Sequence, residues 1–205
     1  IQQTEQPEGN QYLLQSMEEQ ITWLVQMIED TLEMTALDSG KAASSWRPVN
    51  LMLLIQNTIT RYQGRAGESG LTLMIDTLPS NLPPIQADER RLAQALNEIV
   101  ENGIAYTPSG GQVGLSAQVA LKEDREGSWL VIRVRDTGPG IPMVEQARVL
   151  DRFFRGSLVE AGNIPGTGLG LSIADEIVRA HGGHITVSSE EGAGTTFTIW
   201  LPLAD

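Results

Sequence analysis

Two runs of alternating apolar residues, separated by a charged turn, constrain the fold of this chain more than any other feature. Every second residue of the segment 113–121 is apolar, and after the turn at 122–127 the alternation continues with Leu130, Ile132 and Val134. A period of two is typical of a β-strand with one buried face. We therefore predict an antiparallel hairpin, whose apolar face must be covered by helices.

Three segments with helical periodicity can supply that cover. Apolar residues repeat at helical spacing over 51–62, over 92–103 behind the capping residue Asp88, and over 169–180 before a Gly-Gly stop. Further elements are predicted as strands at 71–75, 184–189 and 195–201 and as a short helix near 145–150. Together they predict an α+β fold, a two-layer α/β sandwich with helices on one face of a mainly antiparallel mixed sheet.

The N-terminal part of the chain has a different pattern. No Gly or Pro interrupts the segment 12–37, in which one apolar seam follows 3-4-3-4 spacing: Leu14, Met17, Ile21, Leu24 and Ile28. Such a seam is typical of a helix that packs against a partner helix. Helix-ending residues at 38–40 and a new segment from Trp46 predict two units, residues 1–45 and 46–205.

The charge distribution limits what the chain can bind. The net charge is −12 and there is no cysteine, which argues against a nucleic-acid partner and excludes a disulfide framework. Residues 1–45 carry eight acids and one base. We expect this acidic excess to lie away from any binding pocket, and we expect an anionic ligand to be held by local groups. No apolar run approaches the ~20 residues of a membrane-spanning helix.

Polar residues at two positions suggest a ligand site. Glu98, Asn102 and Tyr106 are spaced four residues apart beside the apolar stripe of the helix 92–103, and their oxygen atoms suit Mg²⁺; the alternative is a solvated helix edge. Asp136 ends the second hairpin strand on its interior face, followed by Thr-Gly-Pro-Gly. A buried carboxylate needs a partner, so Asp136 either contacts a flat ligand or caps a turn.

A glycine-rich loop at 162–170 runs into the predicted helix 169–180. Backbone N–H groups at a helix start bind anions without a lysine, and the loop matches neither the P-loop nor the dinucleotide-binding pattern; the alternative is an ordinary flexible loop. Just before it, the segment 151–155 holds two arginines, Arg152 and Arg155, that can reach phosphate oxygens. It also holds two phenylalanines, of which at least one is expected in the core.

The order of these motifs resembles the ATP-binding catalytic domain of bacterial sensor histidine kinases, within the gyrase, Hsp90, histidine kinase and MutL superfamily. Residues 98–106 are similar to the N box, 136–141 to the first glycine box and 151–155 to the F box. Residues 166–171 are similar to the second glycine box and 192–197 to the last. The resemblance implies a Bergerat-type fold, and it identifies residues 1–45 as the C-terminal helix of the dimerisation domain.

The resemblance also implies roles for residues. Asn102 and Glu98 would hold Mg²⁺, Asp136 would bind the adenine amino group, and Arg155 would act on the phosphates. ATP contacts are implied for Asn102, Tyr106, Asp136, Gly138, Gly140, Ile141, Phe154, Gly166, Thr167, Gly168, Leu169, Gly170, Leu171 and Thr195. Gly138 and Gly140 would let the base approach, and residues 155–165 would form a mobile lid. The γ-phosphate would move to a histidine and then to a response regulator receiver domain.

Three features depart from the family pattern. No histidine precedes His181, so the acceptor is expected outside this sequence, which lacks an initiating Met and resembles a fragment of a longer protein. Ala105 stands where a lysine is common, and Glu98 where many kinases have Asn. A Mg²⁺-dependent ATPase that uses Glu98 on water, or a nucleotide-sensing module, remain the alternatives. We expect a cytoplasmic segment that forms a homodimer in the full-length protein, and leave open a membrane anchor elsewhere.

Overall fold

The computed structural model describes residues 7–38, 45–121, 127–157 and 166–203. Within these ranges the chain forms five helices and seven strands. The helices are α1 Pro7–Asp38, α2 Leu51–Glu68, α3 Glu89–Tyr106, α4 Met143–Gln146 and α5 Gly170–Ala180; the strands are β1 Trp46–Val49, β2 Thr72–Thr77, β3 Ile85–Asp88, β4 Gln112–Leu121, β5 Ser128–Asp136, β6 His184–Glu190 and β7 Gly194–Pro202.

The main sheet has five strands in the order β2-β4-β5-β7-β6. The predicted hairpin is confirmed: β4 and β5 pair antiparallel from Val113 opposite Asp136 to Leu121 opposite Ser128. The pairs β5–β7 and β6–β7 are also antiparallel. Only β2 and β4 run parallel in this sheet of the described residues. The α+β prediction with a mainly antiparallel mixed sheet is therefore confirmed.

The apolar core lies between the sheet and the helices α2, α3 and α5. The alternating residues Leu130, Ile132 and Val134 of β5 are buried in it, as the period of two requires. From the helices, Leu96 and Ile99 of α3 and several residues of α5 complete the layer. Burial of this continuous apolar face fixes the strand register, because a slip by one residue would expose every inward side chain.

Helix α3 begins as its sequence predicts, and its first turn is tied to the end of α5. The Asp88 side chain accepts a hydrogen bond from the Arg91 N–H and caps the helix. The Asp88 N–H donates to Nε2 of the buried His181, 3.0 Å away, and His181 Nδ1 lies 2.8 Å from the Ile177 carbonyl. His181 therefore carries its proton on Nδ1, and it joins the start of α3 to the last turn of α5.

Three details differ from the sequence prediction. Strands β1 and β3 form a separate two-stranded antiparallel sheet, which short segments containing Pro48 do not signal. The short helix occupies Met143–Gln146 rather than 145–150, because turns replace the helix from Ala147 onward. Helix α5 begins at Gly170, with Leu169 as its flanking residue.

Helix α1 is continuous over Pro7–Asp38 and includes the segment 12–37, whose lack of Gly and Pro predicts a helix. Its predicted seam faces outward: Leu14, Met17, Ile21, Leu24 and Ile28 are each half or more exposed. Near its C-terminal end, Met34 is buried in the same apolar core as the residues of the sheet and the helices packed on it. No helix in the described part of the chain is long and apolar enough to cross a membrane.

Candidate functional site

A cleft of about 900 Å³ lies between α3, the loop after β5 and the start of α5. This volume falls in the range of small-molecule sites. The cleft contains most of the residues that the sequence singled out, among them Glu98, Asn102, Tyr106, Asp136, Gly140, Ile141, Phe154, Arg155, Gly166, Thr167, Gly168, Gly170, Leu171 and Thr195. Residues that lie far apart in the chain thus meet at one site, as the motif order implies.

Asp136 is the most constrained polar residue of the cleft. Its side chain is only 6% exposed, and Oδ1 accepts hydrogen bonds from the Gly138 N–H at 2.8 Å and the Thr195 N–H at 3.2 Å. Burial raises the pKa of this carboxyl above its ordinary value, and the two N–H donors oppose that shift. Because Oδ1 is held by the backbone, Oδ2 is the oxygen available to a ligand.

The glycines after Asp136 are required by close packing. Gly140 has a φ of +76°, and a Cβ there would lie 2.1 Å from the Glu190 carbonyl oxygen, so only glycine fits. A Cβ on Gly138 would lie 2.8 Å from Asp136 Oδ1. The backbone of this loop is therefore clamped against β6 and the turn that follows it, and Gly138 lies behind the carboxylate rather than on the cleft wall.

Helix α3 presents its polar line to the cleft. Glu98, Asn102 and Tyr106 are half-buried on the cleft wall, and the exposed Ala105 lies beside them. Glu98 packs closely against the start of α5, since a Cβ on Gly170 would lie 2.4 Å from its Oε2. Partial burial raises the pKa of the Tyr106 hydroxyl.

The start of α5 offers backbone donors to the cleft. No described side chain caps this helix at Leu169, and its first N–H groups have no partner within the helix. The Leu169 side chain is buried in the core, so only its backbone can serve a ligand. Its N–H lies 3.3 Å from Thr167 Oγ1. Uncapped donors together with the helix dipole favour an anion at this point.

The segment 151–155 packs beside this loop through its backbone. The Phe153 N–H donates to the Gly168 carbonyl at 2.9 Å, and a Cβ on Gly168 would collide with Phe153. Phe153 has a φ of +62° and is exposed, whereas Phe154 packs against the core under the Arg148 guanidinium. One phenylalanine in the core is what the sequence predicts.

The two arginines of this segment have different positions. Arg155 lies on the cleft wall, where its charge acts on the Tyr106 hydroxyl. Arg152 pairs with Glu176 on α5 at 3.0 Å. Of the two, Arg155 is the one placed to contact an anion. The predicted lid at 155–165 lies largely outside the described residues.

One prediction was wrong: the acidic N-terminal helix does not lie away from the cleft. Thr22, Gln26 and Asp30 of α1 line it. Asp30 is buried, and its Oδ2 accepts a hydrogen bond from Thr167 Oγ1 at 2.6 Å while Gln26 donates to its Oδ1 at 2.7 Å. The seam spacing of α1 could not show this contact, because it depends on how α1 packs against residues far away in the chain.

A further pair of cleft residues, Arg65 and Glu101, has no motif to signal it. Arg65 Nη1 on α2 lies 3.1 Å from Glu101 Oε1 on α3, and the Tyr62 hydroxyl donates to the same oxygen at 2.9 Å. Burial and the Glu101 carboxylate raise the pKa of Tyr62. Glu145 and Val149 also line the cleft. Helical periodicity assigns these residues only to helix surfaces, so their convergence requires the tertiary fold.

The donor set fits a magnesium ion that arrives with a phosphate ligand. Asn102 and Glu98 offer an amide and a carboxylate oxygen on the cleft wall, and Mg²⁺ is usually held by one or two such groups plus phosphate oxygens. Within the described ranges no three acidic, histidine or cysteine side chains cluster as a preformed metal site.

Comparison with known proteins gives consistent results. Residues 87–205 match the family model described as histidine kinase-, DNA gyrase B-, and HSP90-like ATPase. The chain is 36% identical over 180 residues to the circadian input-output histidine kinase CikA of Synechococcus elongatus, covering 87% of this chain and 23% of that protein. It is 33% identical over 179 residues to the sensor histidine kinase WalK of Bacillus subtilis, covering 87% and 28%. The chain thus spans about a quarter of these curated relatives.

Solved structures share the fold. Full-length ShkA, crystallised in complex with AMPPNP, aligns with a TM-score of 0.77 and 28% identity over 100% of this chain and 40% of that one. The histidine kinase AdeS of Acinetobacter baumannii aligns with a TM-score of 0.72 over 95% of this chain and 85% of that one, and at 21% identity it supports the fold alone.

Proposed function

Because this chain belongs to the family of histidine kinase-, DNA gyrase B- and HSP90-like ATPases, we propose that it contains the ATP-binding catalytic domain of a two-component sensor histidine kinase. Residues 46–205 bind Mg-ATP, and residues 1–45 belong to the dimerisation domain. The γ-phosphate passes to a histidine outside this sequence and from there to the receiver domain of a response regulator. The proposal places this segment in the cytoplasm, where ATP is available.

The observation that carries the proposal is the geometry of Asp136. A buried carboxylate whose Oδ1 is fixed by two backbone N–H groups presents its other oxygen to the cleft. This arrangement suits a flat ligand with an exocyclic amino donor, such as adenine, because an unpaired buried carboxylate is costly. We call Asp136, Gly138, Gly140 and Thr195 the base end of the cleft.

The opposite part of the cleft suits the triphosphate. We call Asn102, Arg155, Thr167, Gly168 and Gly170 the phosphate end. There the free N–H groups of α5 and the Arg155 guanidinium bind phosphate oxygens, and Asn102 with Glu98 orients the metal. Mg²⁺ supplies charge neutralisation when bound. The protein contributes positioning and electrostatic stabilisation, which account for most of the catalysis in phosphoryl transfer.

The exposed seam of α1 supports a homodimer in the full-length protein. Leu14, Met17, Ile21, Leu24 and Ile28 are 50–62% exposed, and this apolar stripe at heptad-like spacing suits a helical bundle with a second copy. Changing Ile21 and Ile28 together to Glu should lower the apparent mass measured by light scattering. An unchanged mass would argue against this interface.

Calorimetric titration with adenosine and Mg-ATP tests the base end. Asp136→Asn replaces the acceptor Oδ2 with an amide that faces the adenine amino group as a second donor. We expect affinity for both ligands to fall about 100-fold, in line with unpaired polar groups in a specific site. Asp76→Asn, the same change on the exposed face of β2, is the matched control. Unchanged affinity in Asp136→Asn would overturn the adenine assignment.

The reaction itself is tested with γ-labelled ATP and a separate dimerisation segment that carries a histidine. Label on histidine supports the kinase, and release of phosphate supports an ATPase. The position of Glu98 beside Gly170 on the cleft wall keeps the ATPase as a second candidate. In that case Glu98→Gln should abolish phosphate release, because the carboxylate would act on water. Binding without either reaction would indicate a nucleotide-sensing module.

A further inference from the structure

The charge of the cleft does not match the ligand proposed for it. Among the described residues, five acidic side chains line the cleft: Asp30, Glu98, Glu101, Asp136 and Glu145. Arg65 and Arg155 are the basic side chains of the same wall. A triphosphate carries several negative charges, and in a partly enclosed site each unneutralised charge is penalised. Both arginines are therefore candidates to neutralise phosphate charge, although the motifs account only for Arg155.

Arg65 lies where it can serve the phosphate end. It belongs to the last turn of α2, and its Nη1 is 3.1 Å from Oε1 of Glu101. Glu101 directly precedes Asn102 in the chain, and Asn102 and Ala105 share the cleft wall with Arg65. Ala105 is exposed and its side chain ends at Cβ, so it supplies no cation to this wall. The Arg65 guanidinium thus lies on the same cleft wall as Asn102 and contacts the residue that precedes it in the chain.

The contact between Arg65 and Glu101 is easily exchanged. The two side chains are 57% and 41% exposed, and ion pairs exposed to this degree contribute little to stability. When Arg65 leaves, Glu101 Oε1 keeps the hydrogen bond from the Tyr62 hydroxyl at 2.9 Å. No buried charge is left unpaired by the movement, whereas an arginine–phosphate contact gains a charge-assisted hydrogen bond.

We propose that Arg65 is a phosphate-binding residue of this cleft, held against Glu101 until the nucleotide arrives. It determines specificity for charged nucleotides over nucleosides, because it contacts the phosphates and not the base. This inference rests on the proposed function, that the cleft binds Mg-ATP.

The test compares Mg-ATP with adenosine by calorimetric titration of the same chain. Arg65→Ala should weaken Mg-ATP binding about tenfold, the loss expected for one hydrogen bond to a charged group, and leave adenosine binding within twofold. The matched control is Arg61→Ala, which removes the same charge one turn earlier on α2 from a separate groove. Arg61→Ala should change neither affinity.

Two further variants separate phosphate binding from a structural role. Glu101→Gln frees Arg65 and removes one negative charge, so Mg-ATP affinity should rise severalfold. Adding Ala105→Lys to Arg65→Ala returns a cation to the same wall and should restore most of the lost affinity. If Arg65 only tied α2 to α3, the lysine at position 105 would rescue nothing.

The outcomes distinguish this inference from the function on which it rests. Wild-type chain that binds neither ligand overturns the proposed function and the inference with it. Wild-type chain that binds Mg-ATP as tightly as Arg65→Ala does overturns the inference alone. Equal losses for Mg-ATP and adenosine in Arg65→Ala also overturn it, because they indicate damage to the fold.

Discussion

The base end and the phosphate end of the cleft are built in different ways. At the base end, Asp136 is buried, held by two backbone N–H groups, and surrounded by glycines that leave no free space. At the phosphate end, Thr167 is bonded to the Asp30 side chain of helix α1, and the adjoining Gly166, unlike Gly168 and Gly170, has open space around it. On the proposed function, base recognition is preformed, whereas the phosphate site is completed by side chains that exchange partners.

The largest expected effect comes from adding a methyl group at Gly140, and the same change at Gly166 serves as the comparison. Gly140→Ala should lower the free energy of unfolding by about 3 kcal/mol, because its Cβ meets the Glu190 carbonyl and its φ is positive. Gly166→Ala should change it by less than about 1 kcal/mol, since nothing lies within 4 Å. Urea unfolding of the nucleotide-free chain measures both. Equal effects would contradict the contrast between the packed backbone at the base end and the open position of Gly166 beside the phosphate end.

The second prediction concerns the pH dependence of the base end. Oδ1 of Asp136 accepts two N–H groups, so protonation occurs at Oδ2, the ligand-facing oxygen. Burial raises the pKa of this carboxyl. As the pH is lowered, adenosine affinity should therefore begin to fall at a higher pH than it would with an ordinary aspartate, by up to about tenfold per pH unit. Titrations from about pH 8 down to about pH 4, which begin in the region where proteins are usually most stable, would show this loss.

The same raised pKa has a consequence for stability. The native state binds the Asp136 proton more readily than the unfolded chain does. The contribution of this group to stability is therefore lost as the pH rises from the ordinary pKa of an aspartate through the raised pKa of the native state. At neutral pH the buried charge is a cost. Asp136→Asn should therefore unfold at a temperature equal to or above that of wild type, even though it loses the ligand. A large loss of stability would show that the charge itself supports the fold.

The third prediction tests the contact of α1 with the phosphate end. Asp30→Ala breaks the hydrogen bond to Thr167 and removes a negative charge from the cleft wall. Mg-ATP affinity should rise about fivefold, a coupling of roughly 1 kcal/mol, and adenosine affinity should stay constant. Glu29→Ala, an exposed acid at the neighbouring position of α1, serves as the control. Weaker Mg-ATP binding in Asp30→Ala would mean that α1 completes the site.

The smallest expected effect is at Phe153, beside the phosphate end. Its φ of +62° costs energy in a residue with a Cβ, and its side chain is 58% exposed. Phe153→Gly should raise the free energy of unfolding by about 0.5 kcal/mol, since the relief of strain exceeds the entropy cost of glycine. Phe153→Ala keeps the Cβ and should bring no gain. Thermal unfolding of both variants checks the difference.

The elements that could be predicted from the sequence are those with strong local patterns. The hairpin β4–β5, the cap at Asp88 and the inward direction of Asp136 all follow from spacing along one segment. The sheet β1–β3 and the parallel pairing of β2 with β4 depend on segments far apart in the chain. Local periodicity carries no information about such pairings.

The candidate site divides in the same way. Asn102 and Asp136 could be predicted from motif order and strand alternation, and both lie on the cleft wall. Arg65 and Asp30 could not, because their patterns indicate only helix surfaces and their contacts arise from packing of α2 on α3 and of α1 on the cleft. The roles assigned to these residues in nucleotide binding remain predictions.

The hydrogen bond between His181 and the start of α3 has a mechanical consequence. Helices α3 and α5 pack against each other. The hydrogen bond to His181 joins the first turn of α3 to the last turn of α5. Asn102 lies toward the other end of α3 and Gly170 at the other end of α5, where both line the cleft. Asn102 lies about 20 Å along α3 from the Asp88 cap, at ~1.5 Å per helical residue. Because Glu98 also packs against Gly170 at the cleft, the two helices are held together at both ends and should move as one body.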